Sequence, residues 1–216
     1  MSDPRAELFV PERVRARLRE LTQTPRVSYG RLPEEMLGER VLSPAAVLVP
    51  LTEVGGVMEV VFTKRPDTMT EHSGEVSFPG GRAEVGDRDL LATALREARE
   101  EIALREEDVR SFGALVQLPT ITGYDVTTFV GEFLQPYELR PDPREIAVLF
   151  RAPLVELARP EVHRMEQRSW MGMEFDLHFF EYQGFTIWGA TGYMLHILLE
   201  FLSGRDVSDV AKKKGM

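Results

Sequence analysis

The segment Gly80–Leu104 reads GGRAEVGDRDLLATALREAREEIAL: a glycine pair, a short polar connection, then a run with helical periodicity. Leu90, Leu91, Ala94, Leu95, Ala98 and Ile102 fall on one stripe, which predicts a helix over 89–104. At about 100° per residue, Glu97, Glu100 and Glu101 share roughly a third of the circumference. Glu97 and Glu101 abut the apolar stripe, beside Leu90 and Ala94, while Arg88, Arg96 and Arg99 project away from it. A helix acidic only for solubility would centre its acids on the wet face. Here they line the border of the core, where a cleft can form.

Crowded carboxylates repel one another and lose solvation near a core unless a cation sits between them. Oxygen-only ligands point to Mg²⁺ or Mn²⁺. Such an ion polarises a phosphoryl oxygen and lowers the pKa of a bound water. Taken alone, the helix also fits a salt-bridged surface element, since Arg96 and Glu100 stand at i,i+4. The preceding glycines shift that balance. Gly80 and Gly81 carry no Cβ, so the backbone can approach a ligand, and Pro79 restricts φ just ahead of them. A carbonyl of Gly80 and the carboxylates could then converge on one ion.

Upstream, AAVLVPL (45–51), MEVVFTKR (58–65) and EVSFPGG (75–81) read as strands, the first two joined by a hairpin turn at Glu53-Val54-Gly55-Gly56. Downstream come strands at 111–118, 126–134 and 146–151, and a hairpin over 177–188 turning at Gln183-Gly184. A last helix spans Thr191–Ser203, capped by Gly204. Residues 11–22 form an amphipathic helix opening at Pro11, with Val14, Leu18 and Leu21 inward. The layout is an α/β sandwich with a mixed sheet. It divides into an N-terminal helical extension (1–30), the main domain (31–204) and a polar, basic tail (205–216) that should fray.

The bulk properties suit one globular domain: 216 residues, 43% hydrophobic and 28% charged, enough to bury a core. There are no cysteines, which excludes disulfides and thiolate metal sites. His163, His178 and His196 show no ligand spacing and are assigned structural roles. The charged N-terminus has no secretory apolar region, and the apolar run YMLHILLEFL is too short for a bilayer and contains Glu200. A cytoplasmic protein with no membrane contact is expected. The net charge of −9 argues against nucleic-acid binding but not against a small phosphate-bearing substrate held through metal ions.

Residues 80–104 resemble the Nudix box, the strand–loop–helix signature of diphosphate hydrolases. The match rests on Gly81 and on Arg96, Glu97, Glu100 and Glu101, with Asp87 near the position of the box's first glutamate. One extra residue precedes Arg96, and Ala103 stands where the box has glycine. The resemblance implies a Nudix α/β/α sandwich in which Glu97 and Glu101 bind metal most directly, Glu100 joins them, and Arg96 orients the cluster. It also makes a loop acid, here Glu145, a further ligand or base.

The stretch VVFTKRPDTMTEHSGEVSFPGG (60–81) is similar to the motif preceding the box in coenzyme A pyrophosphatases, as is IWGATGYMLHILL (187–199) to their closing segment. Pro66 and Thr70 depart from that motif, replacing a serine and an arginine. The resemblance implies hydrolysis of coenzyme A to 4′-phosphopantetheine and 3′,5′-ADP. Lys64, Arg65, His72 and Phe78 would then contact the substrate, although His72 also suits a turn and Phe78, like Trp188, suits the core. A pyrophosphatase for another nucleoside diphosphate, such as ADP-ribose, and a silent nucleotide sensor are the rival readings.

Overall fold

The computed structural model describes residues 6–28, 41–67, 74–170 and 173–207. His72, the boundary near residue 30 and the tail beyond residue 207 lie outside them. Strand β1 (Val27–Ser28) precedes β2 (Ser43–Val54), which is the axis of the main sheet. β2 turns into β3 (Val57–Lys64) through Gly55-Gly56, with Val54 opposite Val57. Both glycines have positive φ, 56° and 81°, the left-handed pair that a two-residue hairpin turn requires.

β2 and β3 pair only near this turn, Leu51–Val54 against Val57–Val60, and then part. The segment 76–82 fills the fork: β4 (Val76–Ser77) lies along β3, and β5 (Gly80–Arg82) lies along β2. The single strand expected over 75–81 is therefore two. Pro79 has no N–H for a ladder, and its carbonyl accepts from the Leu48 N–H at 2.9 Å as the chain crosses.

The other edge of β2 carries β7 (Tyr124–Phe133) in parallel, then β6 (Val109–Pro119) and β1, while β8 (Val148–Pro153) covers β3. β9 (His163–Trp170), β10 (Met173–Tyr182) and β11 (Phe185–Ile187) form a second, antiparallel sheet. The β10–β11 turn falls at Gln183-Gly184 as the sequence predicts. β9 escapes the sequence pattern because HRMEQRSW is polar nearly throughout.

Side chains alternate along β2, and so does the core. Ala46 and Leu48 join Val61, Phe129 and Phe133 under helix α2 (Leu90–Ile102), which contributes Ala94, Leu95, Ala98 and Ile102. Ala45, Val49 and Leu51 face the opposite way, toward α1 (Pro11–Leu18) and α4 (Gly189–Leu202). A short helix, α3 (Leu154–Leu157), follows β8. The result is an α/β/α sandwich with a mixed sheet. In α1, Val14 and Leu18 are fully buried, and its arginines serve the fold: Arg15 donates to Glu132 (2.8 Å) and Glu53 (2.6 Å), and Arg17 to the Phe201 carbonyl.

At the end of α2, Ala103 adopts the left-handed conformation (φ 57°, ψ 28°), where a Cβ is unfavourable. Ala103→Gly is expected to stabilise the protein by about 0.5–1 kcal/mol, since glycine takes this conformation without strain. A urea midpoint no higher than that of the parent would show that the cap carries no such strain.

Candidate active site

Helix α2 starts cleanly because the Asp89 carboxylate accepts from the Ala92 N–H at 2.7 Å. About two turns later, Arg96 does not project into solvent as its wheel position suggests. Its side chain is only 16% exposed and folds back over the helix. Nε and Nη2 donate to the two oxygens of Asp87 (3.0 and 3.2 Å), Nη1 donates to Glu97 (2.9 Å) and Glu100 (3.1 Å), and Nη2 also reaches the Arg82 carbonyl (3.0 Å). A guanidinium offers five N–H donors in a rigid fork, so one residue fixes three carboxylates and the strand before them.

Asp87 is the anchor of that fork. Besides Arg96, its Oδ2 accepts from the Glu84 N–H and the Thr93 hydroxyl, both at 2.9 Å. The Arg96 hydrogen bonds, first, hold its carboxyl well below the usual carboxylate range. Sequence places Asp87 near a box position without revealing this duty, which depends on Thr93 and Arg96 facing back toward the loop. Asp87→Asn would turn a charged acceptor into an amide. It is expected to lose about 1.5–3 kcal/mol of stability, the worth of a charged hydrogen bond, and to lower kcat by releasing Glu97. An unchanged denaturation midpoint with unchanged kcat would remove Asp87 from this role.

Glu97 and Glu101 sit where the helix meets β5. Their side chains are 16% and 4% exposed, whereas Glu100 is half exposed at the rim. Burial, first, pushes the Glu101 carboxyl up to about 8. The charges of Glu97 and Glu145 add to the rise, while the charge of Arg65 and a hydrogen bond from the Gly80 N–H oppose it. Burial raises Glu97 as well, against the pull of Arg96. Oε2 of Glu101 is buried without a hydrogen-bond partner. A buried carboxylate oxygen without a partner is unfavourable, and a cation relieves it.

The glycine pair forms the floor. A Cβ on Gly81 would fall 2.5 Å from Glu97 Oε1, so the carboxylate occupies the space a side chain would need. A Cβ on Gly80 would meet the Ala46 carbonyl at 2.4 Å and Val47 Cα at 2.6 Å. Gly80 also touches Glu101 directly, its N–H donating to the carboxylate. The orphaned oxygen, the carboxylate in its Cβ-free cradle and the all-oxygen donor set fit a hard divalent ion, with Glu97, Glu100 and Glu101 as the residues to hold it.

Two further elements converge. The loop before β8 closes the end of α2: the Asp142 N–H donates to the Glu101 carbonyl (2.8 Å) and the Arg140 N–H to that of Ile102 (3.0 Å). These bonds bring Glu145, exposed on that loop, close enough for its charge to raise both Glu97 and Glu101. From β3, Arg65 places its charge beside Glu101, while Lys64 pairs with Asp67 at 2.9 Å. Phe78 is not at the cleft surface. It is 2% exposed and stacks on Phe62 with ring centroids 5.0 Å apart, so the core rather than the substrate claims it. Trp188 is exposed and lies parallel to Phe179.

Comparison with known proteins identifies the family. The NUDIX domain family matches residues 42–177, spanning the fork, α2 and the Glu145 loop. An uncharacterized Nudix hydrolase, NudL, of Photorhabdus laumondii is 35% identical over 156 residues, 72% of this chain and 83% of that protein. The peroxisomal coenzyme A diphosphatase NUDT7 of Mus musculus is 37% identical over 138 residues, covering 64% of this chain and 58% of the mouse protein. No helix among the described residues is long and apolar enough to cross a membrane. With the carboxylate helix, its arginine clamp and the glycine floor in place, the chain belongs to the Nudix hydrolase family.

Proposed function

We propose that the protein hydrolyses the diphosphate of coenzyme A or a derivative, releasing 4′-phosphopantetheine and 3′,5′-ADP. The observation that carries this reading is the fork. The stretch similar to coenzyme A pyrophosphatases, residues 60–81, is the one that sets Arg65 and the glycine floor against Glu101. The name of the mouse relative, a coenzyme A diphosphatase, supports the same substrate.

Mg²⁺ or Mn²⁺, when bound, supplies a Lewis acid for the phosphoryl oxygens and a more acidic water. The chain's own residues do the rest. Glu97, Glu100 and Glu101 hold the cation, and Arg96 keeps Glu97 and Glu100 in one orientation so that no reorganisation is needed during reaction. The Glu145 carboxylate takes the proton from the attacking water as the new P–O bond forms and the bridging P–O bond breaks. Lys64 and Arg65 meet substrate phosphate charge, and His72 lies on the same connection in the sequence.

The test is a comparison of coenzyme A with dephospho-coenzyme A in wild type and in Lys64→Ala/Arg65→Ala. If these bases read the 3′-phosphate, its removal should lower wild-type kcat/KM by roughly ten- to a hundredfold, the worth of one charged hydrogen bond. The double variant should barely discriminate, and general damage cancels in the cycle. Equal discrimination by both proteins would free Lys64 and Arg65 from that contact. If neither discriminates and ADP-ribose is cut as fast, the coenzyme A assignment fails and another nucleoside diphosphate takes its place.

A further inference from the structure

Three histidines far apart in sequence meet on the side of the main sheet opposite α2, where α4 covers the second sheet. In the β9–β10 ladder, His163 pairs with Phe180 and His178 with Met165, so the two histidines share a face one diagonal apart. Helix α4 can lie directly on them because Gly192 has no Cβ; one there would fall 2.3 Å from the His178 carbonyl oxygen. His196, four residues on and on the same helix face, then stacks on His178 with centroids 3.9 Å apart. His163 Nε2 and His178 Nδ1 share a hydrogen bond of 2.9 Å, which an ion between them would replace, and one nitrogen of each ring lies within 4.8 Å of the other two.

The surroundings favour the neutral, lone-pair-bearing imidazole. His178 is 3% exposed. Burial, first, and then the neighbouring positive charges lower His178 to about 3 and His196 to about 4. His163 is lowered by burial too, against the pull of Glu200. Arg205 adds its charge near His196, Phe180 stacks on His163, and Tyr193 lies edge-on to His178. A cluster serving packing alone would be better built from apolar rings, which carry no nitrogen to satisfy.

We propose that His163, His178 and His196 bind one divalent transition ion of the zinc class, which clips α4 to the β9–β10 hairpin. Zinc takes imidazole nitrogens at about 2.0–2.1 Å in tetrahedral geometry, so the three stacked rings must turn out of their stack to bring their lone pairs onto it. Mg²⁺ prefers oxygen and keeps its waters, so the histidine site and the carboxylate cluster select different ions. Each ligand comes from a separate element, so the ion acts as a tether between them.

The test uses the full chain carrying Glu97→Gln and Glu101→Gln, which silences the carboxylate cluster, titrated with Zn²⁺ in excess Mg²⁺. One Zn²⁺ should bind per chain, and Co²⁺ should give the visible absorption of a tetrahedral nitrogen site. At a hundredfold excess over Kd, Zn²⁺ should raise Tm by about 5–10 °C. Adding His196→Gln should weaken binding by more than about 100-fold, beyond the loss typical of an outer-shell partner. His163→Gln should do the same and serves if circular dichroism shows the first variant unfolded. No Zn²⁺ uptake by the parent, or uptake undiminished by either histidine substitution, overturns the proposal.

Discussion

Glu97→Gln and Glu101→Gln are each expected to cut turnover by at least about 10²–10³-fold, the scale of losing a strong transition-state electrostatic contact. Both changes keep the shape of the side chain and remove its charge. Glu97 loses its part in the charged network with Arg96, and Glu101 loses the charge on a carboxylate whose Oε2 is buried without a partner. Stability should move the other way at position 101. A buried carboxylate with one oxygen unpartnered opposes folding, so Glu101→Gln should melt no lower than the parent in metal-free buffer. Turnover with Mg²⁺ and Mn²⁺, read beside circular dichroism, separates the two effects. Near-normal rates in both variants, with the fold intact, would sink the metal-site assignment.

The adjacent glycines should fail in opposite ways. At Gly80 the two nearest atoms a Cβ would strike are backbone atoms of β2, the central strand, and they cannot move aside. Gly80→Ala is expected to lose about 3 kcal/mol or more, at the upper end of overpacking penalties. At Gly81 the obstructing atoms belong to the Glu97 carboxylate, at the end of a side chain that can swing away. Gly81→Ala should therefore fold with little loss and turn over about 100-fold more slowly, the effect of an ångström of misplacement at a reacting centre. Urea denaturation and kcat, measured on both proteins, distinguish the cases. A stable but inactive Gly80→Ala beside an unstable but active Gly81→Ala would contradict the geometry.

Local pattern carried much of this fold. The apolar stripe of α2, the Gly55-Gly56 and Gln183-Gly184 turns and the capping of α4 by Gly204 are all set by residues within a few positions of one another. The carboxylate border of α2 was legible for the same reason. What stayed hidden depends on partners remote in sequence. EVSFPGG looks like one strand, and only the parting of β2 and β3 splits it in two. Arg96 has the wheel position of a solvent residue, yet Asp87, nine residues earlier, draws it inward. Phe78 sits beside the glycine floor in sequence, but where the chain crosses between β4 and β5 its ring turns into the core against Phe62. The three histidines have no spacing that sequence could disclose, because β9, β10 and α4 each supply one.

The fork has an implication for how such a chain can diverge. Its floor belongs to β2 through β5, whereas the connection bearing Lys64 and Arg65 springs from β3 and returns through β4. The cation-holding residues and the bases proposed to read the substrate therefore hang from different prongs. Insertions or exchanges between Lys64 and Val76 can lengthen one prong without shifting the register of Gly80 and Gly81 against Val47 and Ala46. On the proposed reading, substrate choice becomes a replaceable cartridge on a chassis whose chemistry stays bolted in place.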